Sequence, residues 1–106
     1  MPNYPKNISF NNPDEFDFLS PEEQTVLLDW CDSLDKISTI NKKHSSYALK
    51  HIFSSSSNGF HVSNGTFKGA MLKLGYKYQP IVNGINWYFN ISEKCLKSLI
   101  KEKFRK

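Results

Sequence analysis

Arginine is almost absent from this 106-residue chain, cysteine is scarce, and acidic residues nearly vanish after residue 35. Two cysteines, Cys31 and Cys95, are too few for a disulfide framework. With no export signal in Met1–Phe10, which holds one lysine and no apolar run, reduced buried thiols and a cytoplasmic setting are expected. No stretch approaches the roughly 20 apolar residues that span a bilayer, so no membrane partner is expected. His44, His51 and His61 form no zinc-ligand spacing with the cysteines. There is no phosphate-cradling glycine loop, no acidic pair flanking a cleft and no nucleophile–histidine arrangement. The expectation is a protein with no catalytic residues, no metal, no cofactor and no small-molecule substrate.

What is present is a lopsided charge. Residues 1–35 hold eight acids against Lys6, a net of −7. Residues 36–106 hold thirteen bases against Glu93 and Glu102, a net of +11. That division predicts a basic surface for a polyanion, with an acidic segment turned elsewhere.

Residues 1–19 carry Pro2, Pro5 and Pro13 among four asparagines and show no period. They read as a flexible acidic arm, pinned at most by Phe16 and Phe18, ahead of one domain over residues 20–106. Ser20, Pro21 and Glu23 spell a helix start with a capping box. Leu27, Trp30, Cys31 and Leu34 continue it as one apolar face that ends near Asp35. Ile37–Ile40 is β-prone. Ser45 or Ser46 caps a second helix with Leu49, Ile52 and Phe53 inward, and the serine run at 54–57 with Asn58-Gly59 stops it. Ser63 caps a third helix, with Val62 and Phe67 as a hydrophobic staple. Phe67, Ala70, Met71 and Leu74 form its apolar stripe, and Gly75 stands where a left-handed C-cap belongs.

Asn83-Gly84 is the preferred pair for a two-residue hairpin turn. Pairing outward matches Val82 with Ile85, Pro80 with Trp87, Tyr78 with Phe89 and Tyr76 with Ile91, so eight nonpolar side chains share one face. A one-residue slip would scatter them. Ser92 then caps a last helix with Leu96, Leu99, Ile100 and Phe104 inward. The order helix, short strand, helix, helix, β-hairpin, helix predicts a mainly α domain with a winged helix-turn-helix architecture, the hairpin being the wing.

In that architecture the third helix usually enters the DNA groove. Its outer face carries Gly65, Gly69 and Leu72, flanked by Thr66, Lys68 and Lys73, and only Asn64 suits base reading. Gly69, costing roughly 1 kcal/mol relative to alanine in a helix, fits a close approach by DNA, by a protein partner or by another part of the same domain. The expected nucleic-acid contacts are Asn64, Thr66, Lys68 and Lys73, with Lys77, Gln79 and Tyr88 on the wing and Lys94, Lys97, Lys101 and Arg105 along the last helix. The expected partner-binding residues are Gly65, Gly69 and Leu72, or the acidic face Glu22, Asp29 and Asp32.

The segments Ser-Ser-Tyr-Ala-Leu-Lys-His-Ile-Phe (45–53), Gly-Phe-His-Val-Ser-Asn-Gly-Thr-Phe-Lys-Gly-Ala-Met-Leu (59–72) and Asn-Trp-Tyr-Phe-Asn-Ile-Ser (86–92) carry a resemblance. They resemble small winged-helix proteins of Gram-positive phages and mobile elements, of the kind of the middle protein in the staphylococcal cassette chromosome replication operon. That resemblance spans about half the chain and is most specific over Phe60–Leu74. It implies an accessory subunit that partners an A-family polymerase acting as a primase, or a helicase, and touches DNA with little sequence preference. The alternatives are a phage-type protein inhibitor of a host nuclease, or a small transcriptional regulator.

Overall fold

The computed structural model describes residues 11–82 and 84–103, with side chains followed as far as Lys101. Asn83 of the expected turn, together with Phe104 and Arg105, lies outside the described residues. Among those described, the fold is mixed α/β: four α-helices, a short 3-10 helix and one three-stranded antiparallel sheet.

The 3-10 helix spans Pro13–Phe18 and is followed by α1, Pro21–Asp32. The α1 start is as its sequence spells it: Ser20 Oγ accepts from the Glu23 N–H, and Glu23 Oε1 accepts from the Ser20 N–H at 2.9 Å. Strand β1, Lys36–Asn41, leads to α2, Ser46–Ser54, and α3, Asn64–Lys73. At the α3 C-terminus Gly75 has φ 82°, the Tyr76 N–H reaches Met71 O and the Gly75 N–H reaches Leu72 O. This is the Schellman arrangement that a glycine there favours. Strands β2, Tyr78–Pro80, and β3, Trp87–Ile91, precede α4, Glu93–Lys103.

The ribbon register matches the sequence reading at Tyr78↔Phe89 and Pro80↔Trp87. The turn differs. Ile81 N–H donates to Asn86 O and Gly84 N–H to Ile81 O, and strand pairing ends at Pro80↔Trp87 without the expected Val82–Ile85 pair. Strand β1 adds to the far side of β3, giving the order β1-β3-β2, with Lys36↔Ile91 and Asn41↔Phe89 as partners. Six residues of β1 therefore face three of β3, and the extra length bulges. The Asn90 side chain compensates for the broken ladder. Its Oδ1 accepts from the Lys77 N–H at 2.7 Å, and its Nδ2 donates to Ile37 O at 2.8 Å.

The core gathers Leu27, Cys31, Leu49, Phe53, Phe67, Met71, Phe89, Ile91 and Leu96, all fully buried. The eight nonpolar ribbon residues divide. Tyr76, Phe89 and Ile91 enter the core, whereas Tyr78, Val82 and Ile85 are exposed because the ribbon runs past the helical body. Phe16 and Leu19 are also core residues. The expected boundary at residue 20 is thus moved, because residues 11–19 belong to the packed unit; residues 1–10 of the expected arm lie outside the described residues. No helix among the described residues is long and apolar enough to cross a membrane.

Candidate nucleic-acid interface

The third helix cannot present the face expected of it, because the 3-10 helix lies on that face. A Cβ added to Gly65 would stand 2.3 Å from Asn12 O, and one added to Gly69 would stand 2.2 Å from Pro13 O. Both glycines exist for an intramolecular approach of backbone on backbone, so neither is available to a partner. Leu72 remains exposed at 37%.

The expected base and phosphate contacts on α3 are corrected in the same way. Asn64 is 6% exposed and its amide is engaged: Oδ1 accepts from the Ser46 hydroxyl, while Nδ2 lies within reach of Ile85 O and Asn11 Oδ1. Thr66 is buried beneath the 3-10 segment's partner Ser63, whose hydroxyl donates to Glu15 Oε1. Lys68 is 4% exposed; its Nζ donates to Ile85 O at 2.9 Å and sits 4.4 Å over the Trp87 ring. Burial lowers the Lys68 pKa, an effect that the nearby Glu15 carboxylate opposes. Burial likewise raises the Glu15 pKa, against the Ser63 hydrogen bond, and Glu15 Oε2 has no partner among the described residues. Lys73 is exposed and pairs with Asp17 at 3.6 Å, an exposed contact worth little.

The ribbon residues Lys77 and Gln79 are exposed and Tyr88 is half-buried. On α4, Lys94, Lys97 and Lys101 are all exposed while Leu96 is fully buried. Among the described residues none of these three lysines is in an ion pair. The structure joins to this stripe two cations that the sequence reading passed over, Lys42 and Lys43, both exposed in the β1–α2 turn. The turn is tied to the first turn of α4. Asn41 Nδ2 donates to Glu93 Oε1 at 3.0 Å, Asn41 Oδ1 accepts from the Lys43 N–H at 2.9 Å, and His44 Nε2 lies 2.9 Å from Glu93 Oε1. The hydrogen bond from Asn41, aided by the charges of His44 and Lys43, holds the Glu93 carboxyl below its ordinary range despite some desolvation. Lys97 stands one turn beyond Glu93 on the same side of α4, so the turn that carries Lys42 and Lys43 is tied to the start of the lysine-bearing helix. A Lys-Lys pair between a strand and a helix cap was the available sequence signal.

On the opposite charge, Glu22, Asp29 and Asp32 are exposed along α1. Asp29 rims a cleft of about 620 Å³ whose floor includes Val26, Trp30, Phe53 and Leu99 and whose far wall is the serine-rich loop. Among the described residues no group of three histidine, cysteine or acidic side chains stands close enough to hold a metal ion.

Comparison adds no relative. No protein-family model, curated protein or solved structure matches the chain.

Proposed function

We propose that the chain is a non-enzymatic nucleic-acid-binding accessory module of the cytoplasm, a winged helix whose third helix is sealed and whose phosphate contacts come from elsewhere. The observation that carries this reading is the lysine stripe Lys94–Lys97–Lys101, exposed on α4 and continued by Lys42 and Lys43. Cations spaced one helical turn apart neutralise successive phosphates and displace counterions, which gives affinity without base reading. A buried α3 supports weak sequence preference, and it speaks against a sequence-reading regulator. The resemblance to mobile-element replication proteins supplies the context: a polymerase or helicase as partner, docked on the acidic α1 face.

Fluorescence anisotropy with a labelled duplex at two salt concentrations tests the reading. Three phosphate contacts predict a log–log salt slope of roughly −3, and reversal of the stripe (K94E/K97E/K101E) abolishes binding. Absence of binding at low salt, or a triple variant that binds like the parent, removes it.

A second reading, a protein-binding inhibitor, is favoured by the cleft beside Asp29. An apolar floor with a carboxylate at its rim suits a basic, partly apolar peptide. Loss of partner capture on Asp29→Lys, with DNA binding intact, would favour it.

A further inference from the structure

The wing carries an aromatic column whose outer end is open. Tyr78 and Trp87, diagonal neighbours across β2 and β3, stack with centroids 4.1 Å apart and planes 18° from parallel. Trp87 meets its strand neighbour Phe89 edge to face, at 68°, so the two contacts of the indole differ in kind. The other face of Trp87 is taken by the Lys68 ammonium at 4.4 Å, since one ring face holds one such neighbour. The order is therefore cation, indole, phenol, solvent. Lys68 is itself fixed by its bond to Ile85 O, so the column is anchored at its base. Tyr78 is 46% exposed, about what remains of a ring with one face covered. Pro80, Ile85 and Val82 share the ribbon face but lie towards the turn, on the Trp87 side of the stack, the last two exposed at 55% and 85%.

We propose that the open face of Tyr78 is a stacking platform for an unpaired nucleobase, so that this module prefers single-stranded over duplex DNA. The inference rests on the nucleic-acid reading above and adds the strand class to it. A base in a duplex has both faces covered, whereas an unpaired base offers a π-face of any sequence to a fixed aromatic ring. Lys77, the exposed residue next to Tyr78 on the edge strand β2, supplies a cation for the flanking phosphate. Stacking is indifferent to base identity, which agrees with the lack of base-reading side chains.

The test compares labelled oligo(dT) with a duplex of equal length, using the full chain. The parent binds oligo(dT) more tightly. Tyr78→Ala lowers oligo(dT) affinity by roughly tenfold and leaves duplex affinity within about twofold. Tyr78→Phe, which keeps the ring, restores oligo(dT) binding. Thermal melting of each variant by circular dichroism reports the fold, and Val82→Asp, at the most exposed position, perturbs the same face without touching the stack. Equal losses on both DNAs for Tyr78→Ala, or no loss on either, overturns the platform while the α4 reading stands on its duplex result. Loss of duplex and oligo(dT) binding by the parent brings down both. A Val82→Asp variant that loses a protein partner while Tyr78→Ala keeps its oligo(dT) affinity assigns the face to that partner instead.

Discussion

Helices α3 and α4 are similar in length and both bear lysines, yet the fold treats them oppositely. Eight of the ten residues of α3 are buried, including Lys68. α4 buries Leu96 and leaves Lys94, Lys97 and Lys101 in water. Position in the chain does not explain this; the side chains do. Gly65 and Gly69, four apart, remove every obstacle along one side of α3, and the 3-10 helix fills the trough they leave. α4 has no such trough on its polar side, where the long lysine stems repel close approach and keep the surface open. A cation is useful to a polyanion only where the surface beside it is free.

The contrast breaks most sharply at Phe16, which is 1% exposed and roots the 3-10 helix in the core. Phe16→Ala is expected to cost about 3–5 kcal/mol in urea unfolding, a loss too large for a loosely held arm. Gly69→Ala comes next. Its methyl would meet Pro13 O and the Phe16 Cβ at 2.7 Å, so the segment must shift at a cost of about 1–3 kcal/mol, against a gain of roughly 1 kcal/mol in helix propensity. The same two unfolding curves decide whether the seal is tight. On α4 the expectation reverses. K94E/K97E/K101E should change stability by no more than about 0.5 kcal/mol while lowering duplex affinity by roughly a hundredfold or more at low salt. Stability loss without affinity loss would put α4 in the structural class.

The smallest effect is in pH, and it also sets two sites against each other. Glu93 has a folded pKa below its ordinary 4.5, so its contribution is present above that value and is lost as pH falls through the lowered one. Glu15 has the opposite sign: its folded pKa is raised by burial, so its ionised form burdens the fold near neutrality and acidification relieves it. Melting temperature against pH should therefore show a Glu93-dependent decline below about pH 4.5, which Glu93→Gln flattens. A variant whose acid decline matches the parent's would show that the Asn41–Glu93 tie does not stabilise the turn.

Much of this fold can be read from the chain because its punctuation is local. Ser20 with Glu23, Ser63, Ser92 and Gly75 each mark a helix end through hydrogen bonds within a few residues, and the ribbon register follows from alternation alone. The 3-10 segment could not be read that way. Asn-Asn-Pro-Asp-Glu-Phe has no period, and its partner lies some fifty residues away. The one signal was Gly69, for which a close approach within the domain stood beside DNA and a partner as an explanation. The α4 stripe was legible because it is amphipathic, whereas Lys42 and Lys43 are brought to it through the contacts of Asn41 and His44 with Glu93, between residues that are distant in the chain. Tyr78 and Trp87 were visible as neighbours on one ribbon face, but not as a stack, since alternation fixes sides and not ring planes.

Asn64 has one more consequence. Its side chain accepts from Ser46, whose hydroxyl oxygen in turn receives the Trp87 N–H at 3.0 Å, and its amide nitrogen reaches the carbonyl of Ile85. Two helix beginnings and the descending limb of the ribbon thus converge on a single carboxamide. The ribbon is steered by the helical body instead of swinging from a hinge, so whatever it touches meets a surface whose tilt was set during folding. Recognition by such a part costs little ordering at the moment of contact.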